Sequence, residues 1–328
     1  MNMKKLLVVG AGLALAGCCS TGPCKCCCEK NPLSGDWGLK LPYDSMYAGH
    51  ILFTRDTYGK TQAFTLLRWG SPEWCDSVQV DGNKFSFYHP YGSWVEGEVN
   101  GDKMTGFIFG NKDGKKDGKG EPFTGWKNPK IACGATSKGV KLGEPIDLLK
   151  DGLEGWKTMD EKAKFGWSFK DGVLSNKLGL KPDGTWAGGG ANLMTKRADF
   201  YDFNLEYDVR VPKGSNSGMY LRGRYECQVV DSYQLPVNRH NMAAYYGRVA
   251  PKKTVDKAPG EWQHVNVTLA NRHLTVYLNG ELIIDDVPVV GVTGGAIDAN
   301  EFVPGPMYIQ GDHSDADFKN MILRPVVK

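Results

Sequence analysis

Asn216 to Asp231 reads N-S-G-M-Y-L-R-G-R-Y-E-C-Q-V-V-D. Between Met219 and Val230 it alternates almost without a break. Tyr220, Arg222, Arg224, Glu226 and Gln228 share one parity, while Met219, Leu221, Tyr225, Cys227 and Val229 share the other. Side chains of a strand point to opposite faces in turn, so the stretch predicts β-structure with one apolar and one polar face. Gly223 interrupts it, as at a bend, a bulge or a tight hairpin. A bulge-type turn leaves Arg222 on the face of Glu226; a strict two-residue turn pairs Arg222 with Tyr225 and sends it to the other side. A polar strand face is ordinarily a solvated one, for which Lys and Ser suffice. Two Arg, a Glu and a Gln instead make a directional hydrogen-bonding surface suited to a polyhydroxylated ligand.

The same short-strand pattern extends outward on both sides. Among 328 residues there are 42 Gly, 9 Trp, 14 Tyr and 13 Phe, with almost no helical periodicity, which predicts an all-β chain long enough for two cores. Residues 34–129 hold short strands such as His50 to Arg55 and Lys84 to Tyr88, separated by the turn pairs Asp81-Gly82 and Asn100-Gly101. They predict a small β-barrel or sandwich, lipocalin-like in shape. Its aromatics, Trp69, Trp74, Tyr88, Tyr91 and Trp94, read as core packing or as sugar-stacking surfaces. Asn111 to Glu121 lacks the ligand order of a calcium loop and reads as a mobile charged loop. Residues 130–142 form a Gly- and Lys-rich linker. From 143 to 328 the half-buried strand Phe203 to Val211 and the turn Asn279-Gly280 belong to a second set of antiparallel strands, predicting a two-sheet jelly-roll sandwich.

At the start, Lys4 and Lys5, an apolar run from Leu6 to Ala16, and Leu15-Ala16-Gly17-Cys18 follow one another. The run is too short to span a bilayer and fits a signal peptide over residues 1–17. Small residues before a Cys resemble a bacterial lipobox, with Cys18 lipidated as the mature start and residues 18–33 a Cys-rich tether. This predicts export to the bacterial cell envelope, anchored by lipid to the outer membrane and facing the periplasm or cell surface. Six of the nine Cys lie between Cys18 and Cys28, too densely for the paired spacing of a zinc site. A formal net charge of +3 without a basic stripe makes nucleic acid a poor partner.

The second domain resembles the 3-keto-disaccharide hydrolase family. The resemblance rests on D-L-L-K-D-G-L-E-G-W, S-N-S-G-M-Y-L-R-G-R-Y-E-C-Q-V-V-D-S, A-A-Y-Y-G-R-V-A-P, P-G-E-W-Q-H-V-N-V-T, V-Y-L-N-G and P-M-Y-I-Q-G-D-H, in order from 143 to 328. It does not extend to the first domain. It implies a concanavalin-like jelly roll and, as substrate, a glycoside whose sugar carries a ketone at C3. That ketone acidifies the C2 proton. A base then gives an enolate, the C1 group leaves by β-elimination, and water adds to the enone; direct hydrolysis is the other route. Such a site needs a base, a stabiliser for the enolate oxygen and an acid for the leaving group.

On this reading Glu226 is the base or acid, Arg222 stabilises the enolate, and His313 in Q-G-D-H is a second acid/base group. Asn216, Gln228, Asp231, Tyr245, Arg224 and Asp312 are the candidate substrate contacts. The bland readings are a Glu226–Arg222 cross-strand ion pair, Asp312-His313 as a strand-end turn, and Asn216-Ser217-Gly218 as a turn cap. A divalent metal on Glu226, Asp231 and His313 has no spacing signature, so no cofactor and no metal site are assigned. The alternative function is a non-catalytic carbohydrate-binding surface lipoprotein, because a jelly roll serves lectins as well as enzymes.

Overall fold

The computed structural model describes residues 31–43 and 47–327. The expected signal peptide, Cys18 and the expected tether as far as residue 30 lie outside the described residues. The chain is all-β, and among the described residues its one helical element is a 3-10 turn at Gly152–Gly155.

The first sheet contains β1 (Gly35–Lys40), β2 (Ala48–Arg55), β3 (Thr61–Leu67), β4 (Glu73–Trp74), β5 (Asp76–Asp81), β6 (Lys84–His89), β7 (Ser93–Asn100), β8 (Lys103–Lys112) and β9 (Lys115–Lys127). In space they run β4-β3-β2-β1-β9-β8-β7-β6-β5. Cys75, between β4 and β5, donates its N–H to the Ala63 carbonyl of β3 at 2.8 Å, bringing the two ends of the sheet together into a nearly closed barrel. The interior is packed solid by inward residues such as Trp37, Ile51, Phe53, Phe85, Phe87 and Met104. The expected charged loop is a hairpin instead: Asp113 and Gly114, with φ of 53° and 77°, form the turn joining β8 to β9. The tip of this hairpin, residues 110–119, is exposed on both faces, so no apolar alternation marked it, whereas Lys103 to Phe109 at the base of β8 reads as a strand in the sequence.

The second domain adds β10 (Lys141–Leu142), β11 (Ile146–Asp147), β12 (Trp156–Thr158), β13 (Trp167–Lys170), β14 (Val173–Asn176), β15 (Leu193–Thr195) and β16 (Phe203–Arg210). Then follow β17 (Asn216–Leu221), β18 (Tyr225–Val230), β19 (Gln263–Ala270), β20 (His273–Leu278), β21 (Glu281–Pro288), β22 (Tyr308–Ile309) and β23 (Ala316–Val327). One sheet runs β13-β14-β23-β16-β19-β20-β21; the other, smaller sheet runs β12-β15-β22-β17-β18. Phe203, Leu205, Tyr207 and Val209 of β16 share a core with Met219, Leu221, Cys227 and Val229 of the smaller sheet. Burying each such side chain contributes about 1.5–3 kcal/mol. The apolar parity of the quoted stretch therefore faces the other sheet, and Glu226 and Gln228 point away from it.

That outward face is not solvated. Residues 243–246 lie along the free edge of β18: Gln228 N donates to Ala244 O at 3.0 Å, Ala243 N to Gln228 O at 2.8 Å and Tyr246 N to Glu226 O at 3.0 Å. An unpaired edge is thereby satisfied, and Glu226 and Gln228 are each buried.

The barrel is seated on the sandwich through buried polar groups. Arg272 donates to Glu301 Oε2 at 3.0 Å and to Asp36 Oδ2 at 3.3 Å. Asn128 reaches the same Glu301 oxygen at 3.0 Å, and His50 Nε2 lies 2.6 Å from Asp36 Oδ1. The connecting segment is strapped down as well, with Thr136 Oγ1 and Ser137 N donating to the Asp286 carboxylate at 2.6 and 2.7 Å.

Candidate active site

The register of β17 against β18 decides which side chains meet. Tyr220 lies opposite Glu226, Gly218 opposite Gln228, and Leu221 opposite Tyr225. Three residues, Arg222, Gly223 and Arg224, thus connect the strands. Arg222 and Gly223 have φ of 55° and 66°, the left-handed pair of a type I′ turn, closed by Arg224 N donating to Leu221 O at 3.1 Å.

This geometry removes Arg222 and Arg224 from the roles expected of them. Arg222 turns to the opposite side, donating to the Tyr225 hydroxyl at 2.8 Å and the Glu301 carbonyl at 2.9 Å, between the rings of Tyr201 and Tyr225. Arg224 grips Asp298 with Nε at 3.0 Å and Nη2 at 2.7 Å. Both guanidinium groups hold the 291–305 segment in place; neither shares a face with Glu226. Tyr245 is also corrected. It bridges to Cys227, on the apolar parity, and its hydroxyl donates to Gly291 O inside the core. The next residue, Tyr246, lines the cleft instead.

Glu226 folds back over Gly218. A Cβ on that glycine would lie 2.4 Å from Glu226 Oε1, so only glycine leaves room. The Tyr220 hydroxyl sits 2.9 Å from Glu226 Oε2 and 2.7 Å from the Gly294 carbonyl. Burial above all pushes the Glu226 carboxyl up to about 8; the Tyr220 hydroxyl opposes this and the nearby charge of Asp312 adds to it. The two hydrogen bonds agree with a neutral acid. Tyr220 has one proton, and a carbonyl can only accept, so a Tyr220 that donates to Gly294 requires Glu226 to donate its own proton to Tyr220. When Glu226 ionises, the hydroxyl can turn and donate to the carboxylate.

The floor continues into β22. Tyr308 stacks on Tyr220 with ring centroids 4.2 Å apart, and Gln310 N donates to Gly218 O at 2.9 Å. Asp312, two residues on, is close enough for its charge to raise Glu226, Tyr220 and Tyr308. His313 Nδ1 lies 2.5 Å from Asp312 Oδ1, and this bond lifts the imidazole above its ordinary value. The structure therefore brings Glu226, Gln228, Asn216 and Asp312 to one face, with His313 tied to Asp312. Asn216, Gln228, Asp231, His240 and Tyr246 line an open cleft of about 440 Å³ beside them. Asp231 is also a loop anchor, accepting from Gly214 N at 2.9 Å. The buried Asn216 Oδ1 and Gln310 Oε1 find no hydrogen-bond partner among the described residues. Among those residues, too, no group of three or more His, Cys, Asp or Glu side chains could hold a metal ion.

Several cleft residues went unassigned in the sequence. Tyr308 and Gln310 share the parity of the assigned Asp312 in P-M-Y-I-Q-G-D-H, the same signal that marked Glu226 and Gln228. Tyr246 and His240 carry no such signal, because they lie outside the regular strands.

The sequence profile of the 3-keto-alpha-glucoside-1,2-lyase-like domain matches residues 145–324. The chain belongs to this family. It is, at that level, a glycosyl hydrolase-like, carbohydrate-active protein. The barrel lies outside the match. No curated protein matches the chain. Among solved structures, a protein of Parabacteroides distasonis ATCC 8503 proposed as a glycosyl hydrolase is similar at 22% identity and a TM-score of 0.42, over 57% of this chain and 91% of that one. A second structure from that organism, proposed for the same role, is similar at 19% identity and a TM-score of 0.44, over 56% and 94%. The carbohydrate-binding module CBM66 of Bacillus subtilis is similar at 16% identity and a TM-score of 0.35, over 51% and 93%.

Proposed function

We propose that the protein cleaves 3-keto glycosides by removing the C2 proton and expelling the C1 substituent, after which water adds to the enone. What supports this reading is the buried Glu226 carboxyl, on the same face as Gln228 of the cleft wall. It lies 2.9 Å from the Tyr220 hydroxyl, which also reaches Gly294 O, and burial pushes its pKa up to about 8. An ordinary surface carboxyl is ionised at neutral pH and has no proton to give. Glu226 retains its proton up to about 8 and delivers it to the departing C1 oxygen. His313, oriented by Asp312, is the complementary acceptor for the C2 proton. Asn216 and Gln228 line the cleft and carry amides suited to sugar hydroxyls. The reading calls for no cofactor.

Incubation with 3-keto glucosides and the corresponding unoxidised glucosides tests it. Turnover of the 3-keto compounds alone is expected; binding without turnover of either class would replace the enzyme with a sugar-binding protein. We further propose that the chain is lipid-anchored in the bacterial envelope through Cys18, a reading supported by Leu15-Ala16-Gly17-Cys18 after a charged and apolar start. Cys18→Ser should then release the protein from the membrane fraction, and mass spectrometry showing a mature start beyond Cys28 would contradict it.

A further inference from the structure

The turn after β3 is pressed against the segment that supports Tyr220. Gly295 N donates to Arg68 O at 2.8 Å, and a Cβ on Gly294 would fall 2.2 Å from the Gly70 carbonyl. The barrel backbone therefore touches the residue whose carbonyl accepts from Tyr220. Arg68 adopts φ of 67° without being a glycine, a conformation that costs energy and is retained here where the turn meets the sandwich. The contact places the Trp69 ring beside Gly295, next to the Tyr220 hydroxyl. A Cβ on Gly295 would lie 2.9 Å from the Tyr220 hydroxyl and 3.5 Å from the Trp69 ring.

Further contacts fix the same wall. Ser71 Oγ lies 2.6 Å from Nε2 of His240, which lines the cleft. Glu73 pairs with Arg239 and accepts from the Tyr91 hydroxyl at 3.4 Å, while the Tyr91 ring packs on Gly70. Yet Trp69 and Tyr91 remain 48% and 59% exposed. Large aromatic rings held by a rigid turn and left open beside a polar cleft are binding surface rather than unfinished core.

We propose that Trp69 and Tyr91 of the barrel form the subsite for the leaving group, a neutral sugar whose C–H face stacks on these rings. The proposal rests on the 3-keto glycoside reading above. In that reading the oxidised sugar occupies the floor over Glu226 and Asp312. The group attached to its C1 must then extend past the acid that protonates the shared oxygen. Trp69, adjoining Tyr220, stands on that side. The barrel, which the family profile does not cover, thereby selects the substrate for a site built by the sandwich.

The test uses the full chain and two substrates, a 3-keto-glucosyl disaccharide and methyl 3-keto-glucoside, whose leaving group cannot reach the rings. Trp69→Ala should lower kcat/KM on the disaccharide by about tenfold more than on the methyl glycoside, chiefly through KM. Tyr91→Ala, at the more exposed ring, is read in the same way and decides the question if Trp69→Ala does not fold. Equal losses on the two substrates, or none, overturn the subsite. If the wild type turns over neither substrate, the catalytic reading fails, and calorimetric titration with glucose still decides the subsite. Heat of binding that disappears in Trp69→Ala or Tyr91→Ala upholds it, and absence of binding to the wild type overturns it.

Discussion

Two buried carboxylic acids, Glu226 under the cleft and Glu301 at the seam between barrel and sandwich, have been removed from water in different company. Burial pushes both up, to about 8 and about 7 respectively. Glu301 is met by the Arg272 guanidinium and the Asn128 amide, in a cluster where Asp36 is held down at about 2. Glu226 has a tyrosine hydroxyl and, nearby, another negative charge. The Arg272 cation joins the elements by holding Asp36 ionised and opposing the rise of Glu301, whereas Glu226, with no cation beside it, retains its proton to the higher pH. The two arginines nearest Glu226 in sequence serve the joining role, so the cleft is left without their charge.

The contrast can be broken most strongly at Glu226. Glu226→Gln keeps the shape and can still donate to Tyr220, but has no proton to transfer; turnover of 3-keto glycosides should fall roughly 10²–10⁴-fold while binding persists. Retained turnover in a rate assay would move catalysis elsewhere. At the seam, Arg272→Ala leaves Glu301 and Asp36 without their shared cation and should destabilise the fold by about 3–5 kcal/mol in denaturant titrations. A negligible change would show the seam charges to be solvated.

Stability against pH sharpens the comparison. Glu226 binds its proton more tightly folded than unfolded, so its contribution is fully present below the unfolded value near 4.5 and is lost as pH rises through about 8. Glu226→Gln removes that dependence and should stabilise the protein at pH 7 by about 1–3 kcal/mol, with little gain at pH 4. Equal gains at both pH values would mean Glu226 is not a raised acid. The smallest effect is expected at Asp312. Its charge raises Glu226 and its hydrogen bond raises His313, so Asp312→Asn should move both limbs of a bell-shaped kcat/KM profile toward acid. Movement of one limb alone would separate the two groups.

Much of this was legible in local pattern. Alternation in β16 and in the quoted hairpin placed apolar residues between the sheets, because a strand's two-residue period is a local property. The same rule put Glu226 and Gln228 on one face. It failed at the tip of the β8–β9 hairpin, where polar residues on both faces conceal the period around Asp113-Gly114. It also passed over Tyr308, whose parity with Asp312 was present in the sequence.

What the sequence by itself determined is the all-β character, the family of the second domain, and the parity that sets Glu226 opposite Cys227. Tertiary structure alone decided that the polar face is buried, that Arg222 turns toward Tyr225, that Tyr246 rather than Tyr245 lines the cleft, and that Trp69 stands beside Tyr220. The physical reason is one of range. Side-chain parity follows from the next residue along the chain, but hydrogen-bond register in a three-residue turn, desolvation of a carboxyl and the approach of Gly70 to Gly294 depend on segments far away in sequence, whose meeting no local pattern records.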